Sequence, residues 1–370
     1  MNQLLPNRMT LSALAVLALV VCPWRAQATD ISGNISTTMT ITEDSRLVSD
    51  VTCTTSVQLA PCIVIGASHV TLSLNGHTLT GPVDPLTDVN KCSVPAPGPF
   101  GVGIKVSGQT DVKIEGPGIV QHFQRWGIFL LSSTRVTVKR VTAAYNCWSG
   151  VQTELLSDSN FEEDILAKNA VGSHGAPCGG ICVSDSSKNV FLKSTFSGNG
   201  TVNAPDGNVD FGLGLEGTSS GNQIEENDLD GNANGVFVVD STATGNLIRH
   251  NRILGNPSAQ VSVTFPSTGT IFTSADEQGF DVQDTSPAGA NTFEDNLCLT
   301  YSGPASPAPC PNVAIQGNDE ATHRMGNPLS VEKGSNDLRT APSRFQLGSG
   351  IGSFLAVAFG LGLLYTRKKG

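Results

Sequence analysis

Short runs of alternating apolar and polar residues recur along most of the chain, and none broadens into the i, i+3, i+4, i+7 stripe of an amphipathic helix. Val70-Thr71-Leu72-Ser73-Leu74 runs into the turn signal Asn75-Gly76 and resumes as Thr78-Leu79-Thr80. Gly103-Ile104-Lys105-Val106 leads to Val112-Lys113-Ile114. Gly127-Ile128-Phe129-Leu130 leads to Val136-Thr137-Val138, and Gly150-Val151-Gln152 to Ser159-Asn160-Phe161. Period-two runs this short, punctuated by Gly, Asn and Ser, predict short strands joined by tight turns.

The runs keep a beat. Asn222, Asn227 and Asn232 recur 24 residues later as Asn246, Asn251 and Asn256, and the glycines at 103, 127 and 150 are 24 and 23 residues apart. A unit of this length buries its inward side chains only against the units above and below it, which is the economy of a coiled β solenoid. Such a coil turns at the same place on every rung. Asn and Gly accept left-handed turn conformations, and stacked Asn side chains are predicted to form a ladder of amides.

Several intervals break the beat. Gly150 to Gly180 is 30 residues, with the surplus near 170–178, and Asn199 to Asn232 is 33, with the surplus near 200–210. Both surpluses fall between an Asn-bearing turn and the next Gly-led strand. Together with the proline-rich excursion 82–99 they are predicted to leave from one corner and to wall a groove. Asn291 and Asn296 repeat the Asn spacing 45 residues after Asn246 and Asn251, which predicts two turns with an imperfect coil between them.

The ends differ from the middle. Residues 1–28 read as a signal peptide: Arg8 precedes the apolar run Leu11 to Val21, and Ala26-Gln27-Ala28 offers cleavage before Thr29. Residues 29–62 are expected to cap the first rung and 63–318 to form the coil, followed by a polar linker at 319–346. Residues 347–370 hold the apolar stretch Ile351 to Tyr365 before Arg367-Lys368-Lys369. They predict a C-terminal hydrophobic helix that spans the membrane with its tail in the cytoplasm, or a sorting segment that is removed.

Composition narrows the function. The 370 residues include 40 Gly and only 15% charged residues, which suits a turn-rich all-β protein. A formal net charge of −10 and the lack of a basic stripe give no footprint for nucleic acid. Acidic polysaccharides are repelled in bulk, which leaves them only a local basic cleft. Of nine cysteines, Cys22 departs with the signal and eight remain, an even number that suits disulfides in an exported chain. Cys53 with Cys62 and Cys298 with Cys310 would close short loops. Cys178 and Cys182 are spaced more widely than a redox Cys-x-x-Cys and suit a structural bridge better than a metal site. No metal or other cofactor is assigned, and calcium is the one ion that paired carboxylates would suit. The chain is expected to be a monomer.

Candidate chemistry is sparse. Asp185, Glu216 and Asp240 each lie five positions after a strand start at Gly180, Phe211 or Gly235. Carboxylates stacked one rung apart would sit about 5 Å from each other, the spacing of a retaining glycosidase pair. Turn chemistry at a solenoid corner explains the same residues. His122, Arg125 and Trp126 before one strand, and Tyr145 and Trp148 before the next, are candidates to grip a sugar and its carboxylate, with His174 and Asp210 beside the two surplus segments. The same aromatic rings also suit a stacked hydrophobic corner.

The run 70–81 and the Asn-x-Ile-x-x-Asn pattern at 222–227 resemble the right-handed parallel β-helix repeat proteins of the pectin-lyase-like class. That class includes polysaccharide lyases, galacturonases, alginate epimerases and periplasmic accessory proteins of nitrous oxide reductase. The resemblance implies a single-stranded right-handed parallel β-helix of about 8–10 coils with three parallel sheets, and frequent carbohydrate substrates. The chain carries no Asp-Pro-His-Asp run, no Gly-His-Gly or Asn-Thr-Asp signature and no Arg-x-Pro-x-x-Arg arrangement, so no catalytic role transfers residue by residue. The expectation is an exported, envelope-associated protein that binds carbohydrate or serves as a surface structural module. The alternative is a polysaccharide-active enzyme using carboxylates on the helix surface.

Overall fold

The computed structural model describes residues 28–54, 60–87, 92, 101–170, 179–200, 210–254, 256 and 280–310. The chain divides into a unit of residues 1–326, which holds all of these, and a unit of residues 327–370 outside them. The expected signal segment through residue 27, the linker at 319–346 and the apolar segment 347–370 therefore lie outside the described residues. Among those described, no helix is long and apolar enough to cross a membrane.

Each regular turn of the coil consists of two three-residue strands and one longer strand. Thr137–Lys139, Thr142–Ala144 and Ser149–Glu154 make one turn, and Asn160–Glu162, Ile165–Ala167 and Gly179–Ser184 the next. Equivalent strands pair in parallel, Val138 with Phe161 and Val151 with Ile181. The longer strands form one ten-stranded sheet, so ten turns are present among the described residues. The two ladders of short strands, expected as separate sheets, belong to a single 18-stranded sheet. They are joined because Ser45–Cys53 runs through the corner and pairs with both Thr71–Ser73 and Thr78–Thr80. The expected cap segment itself winds into the coil, Thr29–Ile35 pairing with Ser45–Cys53 and Met39–Ile41 with Pro61–Ile65.

The interval of 45 residues is one turn rather than two. Leu247 pairs directly with Thr292, and Asn246 Nδ2 donates to Asn291 Oδ1 at 3.0 Å. A rung is closed by its pairing, so chain length between paired strands is free to grow. All four long connections join a second short strand to the following longer strand: Thr80 to Val102, Ala167 to Gly179, Ser197 to Phe211 and Leu254 to Val282. They leave from the same corner of the coil, as the sequence intervals predict.

Inward side chains stack by rung. Leu72, Ile114, Val138, Phe161, Phe191, Ile224 and Ile248 form one column of register partners, all nearly inaccessible to solvent. The Phe161 and Phe191 rings stack at 4.8 Å between centroids. Their burial away from water is the main favourable term in such a fold.

The corners are polar and satisfied. Asn146, Asn169, Asn199, Asn232 and Asn256 form one buried amide ladder, the Oδ1 of each from Asn169 on accepting both the Nδ2 and the backbone N–H of the Asn before it. A second ladder runs through Asn189, Asn222, Asn246 and Asn291, and a third through Asn227, Asn251 and Asn296. Left-handed residues also recur in columns. Between the short strands these are Arg140, Glu163, Lys193, Glu226, His250 and Asp295, all with φ between 48° and 59°. From Arg140 to Glu226 the charges alternate in sign, with Lys193 3.6 Å from Glu226, and His250 follows 3.6 Å from Asp295. Exposed pairs contribute little each, but a register slip of one rung would set like charges against each other.

Cys53 pairs with Cys62, Cys92 with Cys147 and Cys298 with Cys310. Cys182 is disulfide-bonded as well, to a partner outside the described residues.

Candidate functional site

The outward residues of the longer strands form rows across the rungs. The last residues of three successive strands are Glu154, Ser184 and Glu216, in direct register. Ser184 Oγ donates to Glu216 Oε2 at 2.7 Å, and Gln152 Nε2 donates to Ser184 Oγ at 3.2 Å. Burial pushes the Glu216 carboxyl above its ordinary range against the opposing Ser184 hydrogen bond, and the negative charges of Asp240, Glu154 and Asp185 push the same way. Glu154 is raised too, by burial and then by Asp185, while the ammonium of Lys105 opposes the rise.

An aromatic strip lies on the earlier rungs toward the start of the longer strands, with Phe129, the register partner of Gln152, its member nearest the row. The Trp126 ring lies 4.5 Å from Phe129 and 5.7 Å from Trp148, measured between centroids. Arg125 sits over Trp148 at 4.3 Å and Lys105 over Phe129 at 5.7 Å. Trp148 packs with Val83 and the Cys92–Cys147 bridge. That bridge ties the first excursion, which leaves after Thr80, to the corner two rungs further on. On the other side of the row, Cys182, Phe211 and Phe237 form a small apolar cluster with Val239. Gly214 makes room for it: a Cβ there would stand 2.2 Å from the Phe211 ring.

The family profile described as "Right handed beta helix region" matches residues 87–296. The chain belongs to this family. No curated protein sequence matches significantly. Among solved structures, the active domain of tailspike protein 2 from bacteriophage CBA120 is similar at 9% identity and TM-score 0.39, covering 73% of this chain and 39% of that one. The chain thus spans about two fifths of that tailspike's length. The mannuronan C-5 epimerase A-module of Azotobacter vinelandii is similar at 10% identity and TM-score 0.34, over 75% of this chain and 87% of that one. An alginate lyase from Paenibacillus is similar at 10% identity and TM-score 0.35, over 76% and 93%. At these identities the likeness is one of fold.

Within this β-helix the three carboxylates singled out from sequence do not form one column. Gly179, not Gly180, pairs with Phe211, so counting from Gly180 shifts the register by one residue. Asp185 falls in the turn after its strand, with φ 46°, and accepts from the Thr218 backbone N–H and hydroxyl at 2.8 and 2.9 Å. Asp240 accepts from the Gly217 N–H at 2.6 Å. Both act as turn acceptors for a neighbouring rung. Glu216 alone of the three lies on the strand face.

The aromatic set is brought together only in part. Arg125, Trp126 and Trp148 form the strip. His122 and Tyr145 form a separate pair where the second short strands end, ahead of Arg125 and Trp148 in the chain, 6.1 Å apart edge to face, with Lys168 over Tyr145 at 5.5 Å and Asp84 3.7 Å from His122. Burial lowers the His122 pKa, and the opposing Asp84 charge is the smaller influence. Asp210 is 1% exposed, and its main-chain carbonyl accepts from the N–H and Nδ2 of Asn234. His174 lies outside the described residues. Glu154, Ser184, Gln152 and Phe129 were not singled out. The signal for Glu154 and Ser184 was their place at the end of a six-residue run, the same place that Glu216 holds. Among the described residues no three His, Cys, Asp or Glu side chains converge as a metal site.

Proposed function

We propose that the outer face of the longer-strand sheet binds a polysaccharide and hydrolyses it, with Glu216 as general acid and Glu154 as general base. The observation that carries this reading is the register Glu154–Ser184–Glu216, with Phe129 of the aromatic strip in register with Gln152, two positions before Glu154. Two rungs separate the glutamates, about 9.5 Å of backbone spacing, which suits an inverting pair that leaves room for water better than the retaining spacing of about 5 Å. The two groups divide the work by environment. Glu216, whose proton affinity burial and the surrounding negative charges raise, gives a proton to the leaving oxygen. Glu154, whose rise from burial and Asp185 the Lys105 ammonium opposes, takes the proton of the attacking water. The strip supplies flat apolar faces for sugar rings, and Arg125 a cation for an acidic substituent.

The test is incubation of the full chain with neutral and uronate polysaccharides, with and without calcium, reading reducing ends and unsaturated ends separately. New reducing ends of inverted configuration, lost in Glu216→Gln and Glu154→Gln, support the reading. Unsaturated or epimerised products would replace it with elimination or epimerisation. Binding without turnover would reduce it to a glycan-binding surface module, a role the strip alone supports. The disulfides suit an oxidising compartment, and the reading places the protein outside the cytoplasm, exported through residues 1–28 and held or sorted through 347–370.

A further inference from the structure

We propose that the same face carries a second chemistry, the hydrolysis of O-acyl esters, with Ser184 as nucleophile, Glu216 as its general base and Gln152 as donor to the developing oxyanion. The alcohol half of the ester is taken to be a sugar because this rests on the glycan reading above; the acyl transfer itself does not depend on it.

Ser184 stands apart from the other serines of the coil. Ser133, Ser159, Ser186 and Ser219 turn their hydroxyls onto main-chain carbonyls at 2.7 to 2.9 Å and are buried corner residues. Ser286 donates to a carboxylate, Asp284, but both are buried. Ser184 is half-buried on the outer face, and so is Glu216. Its proton points at a carboxylate 2.7 Å away, the nucleophile–base contact that activates a hydroxyl. Gln152, 5% exposed, is held in place and approaches from the preceding rung, its Nε2 3.2 Å from Ser184 Oγ and 3.3 Å from the Thr153 carbonyl. The same Nε2 thus lies against the main chain and against the attacking Oγ, and from there an N–H can turn to the acyl oxygen once Oγ has bonded to the acyl carbon. The acyl transfer uses the ionised form of Glu216 and the glycan cleavage its protonated form, so the two activities call on opposite protonation states of one carboxyl; burial raises its proton affinity, which makes the ionised form a better base than a solvated carboxylate.

The steps balance. Ser184 Oγ bonds to the acyl carbon, its proton passes to Glu216, and the carbonyl electron pair moves to the oxygen that Gln152 holds. Collapse breaks the bond from acyl carbon to sugar oxygen, and that oxygen takes the proton from Glu216. A water then attacks the acyl-serine, gives its proton to Glu216 and releases the carboxylic acid, and Glu216 returns the proton to Ser184. One ester and one water become one acid and one alcohol. On the following rung Val238 pairs with Leu215, which places Val239 and its apolar cluster next in line after Glu216. A short acyl chain such as acetyl suits that neighbour.

The full chain is incubated with 4-nitrophenyl acetate and with O-acetylated oligosaccharides, reading acetate release, and separately with a fluorophosphonate whose adduct is located by mass spectrometry. Acetate release that falls about 1,000-fold in Ser184→Ala, and an adduct on Ser184 of the native chain, are the expected results. A fall of about 100-fold or more is expected in Glu216→Gln. Acetate release equal to that of Ser184→Ala, or an adduct on any other residue or on none, overturns the proposal. Reducing ends measured in the same incubations report on the glycan-cleavage reading alone, so either proposal fails visibly without the other. The adduct on the native chain remains decisive if a variant does not fold.

Discussion

The backbone N–H of Val141 donates to Asp164 Oδ1 at 2.8 Å, in the column where later rungs place Ser194, Asn227, Asn251 and Asn296. Asp164 N–H donates in turn to Ser194 Oγ, and Ser194 N–H to Asn227 Oδ1. In the asparagines of this column Nδ2 donates to a carbonyl of the preceding rung: Asn227 to Phe191, Asn251 to Ile224 and Asn296 to Ile248. Asp164 offers Oδ2 at that place, buried and without a hydrogen-bond partner among the described residues. Protonated, the acid takes the shape and the donor of an asparagine.

Burial accordingly pushes the Asp164 pKa up to about 8, against the main-chain donors Val141 and Glu162 and with help from the charges of Glu162 and Glu163. The folded state holds this proton over a range in which the unfolded chain has released it. The contribution is therefore complete below pH ~4, falls as pH rises from about 4 to 8, and stays low above. Urea unfolding across that range should show this slope in the native chain and lose it in Asp164→Asn, whose amide reproduces the ladder donor at every pH. The variant should be the more stable of the two at pH 8, and equal slopes in both would refute the assignment.

Asn222→Ala removes the acceptor for the Asn189 N–H and Nδ2 and the donor to the Ser186 carbonyl. Each orphaned buried group costs about 1–3 kcal/mol, so a loss of roughly 3 kcal/mol or more is expected in chemical denaturation. A loss comparable to an exposed substitution such as Lys113→Ala would show that water replaces the ladder.

Gly214→Ala puts a methyl where the Phe211 ring stands, and the ring must leave the Phe237 cluster. Overpacking of this kind costs about 1–3 kcal/mol. Because the strand ends at Glu216, thermal melting should fall and hydrolytic activity should fall with it. Melting unchanged with full activity would mean that the ring has another place to go.

Arg125→Ala removes a half-buried cation from the Trp148 face without touching the core. Binding of an acidic oligosaccharide should weaken about 10-fold or more, in line with roughly 1.5–3 kcal/mol for a hydrogen bond between charged groups, and binding of a neutral one much less. Isothermal titration distinguishes the two, and equal losses would show that the arginine acts through packing alone.

Much of the architecture could be read from the chain because the beat of asparagines and glycines reports hydrogen bonds that repeat. Asn222, Asn246 and their counterparts are ladder members, and the broken intervals mark the one corner that grows. The 45 residues after Asn246 make one turn where their length predicts two, since length alone does not reveal which strands pair. The site is harder to read for a related reason. Counting from Gly180 rather than Gly179 lands on Asp185 instead of Ser184, and in a strand one residue is the difference between the outer face and a turn. Asp164 gave no warning at all, because an aspartate in a corner reads as ordinary turn chemistry until its burial is known.

The corner that releases all four long connections lets each rung carry cargo of its own choosing. Pairing on either side closes the rung whatever is threaded between, so the segment 171–178 can be exchanged for a foreign peptide of different length without disturbing the strands before and after it. The β-helix acts as a rack with independent shelves, all opening at the corner where the longer strands begin, by Trp126 and Trp148, while the Glu216 row marks the far end of those strands.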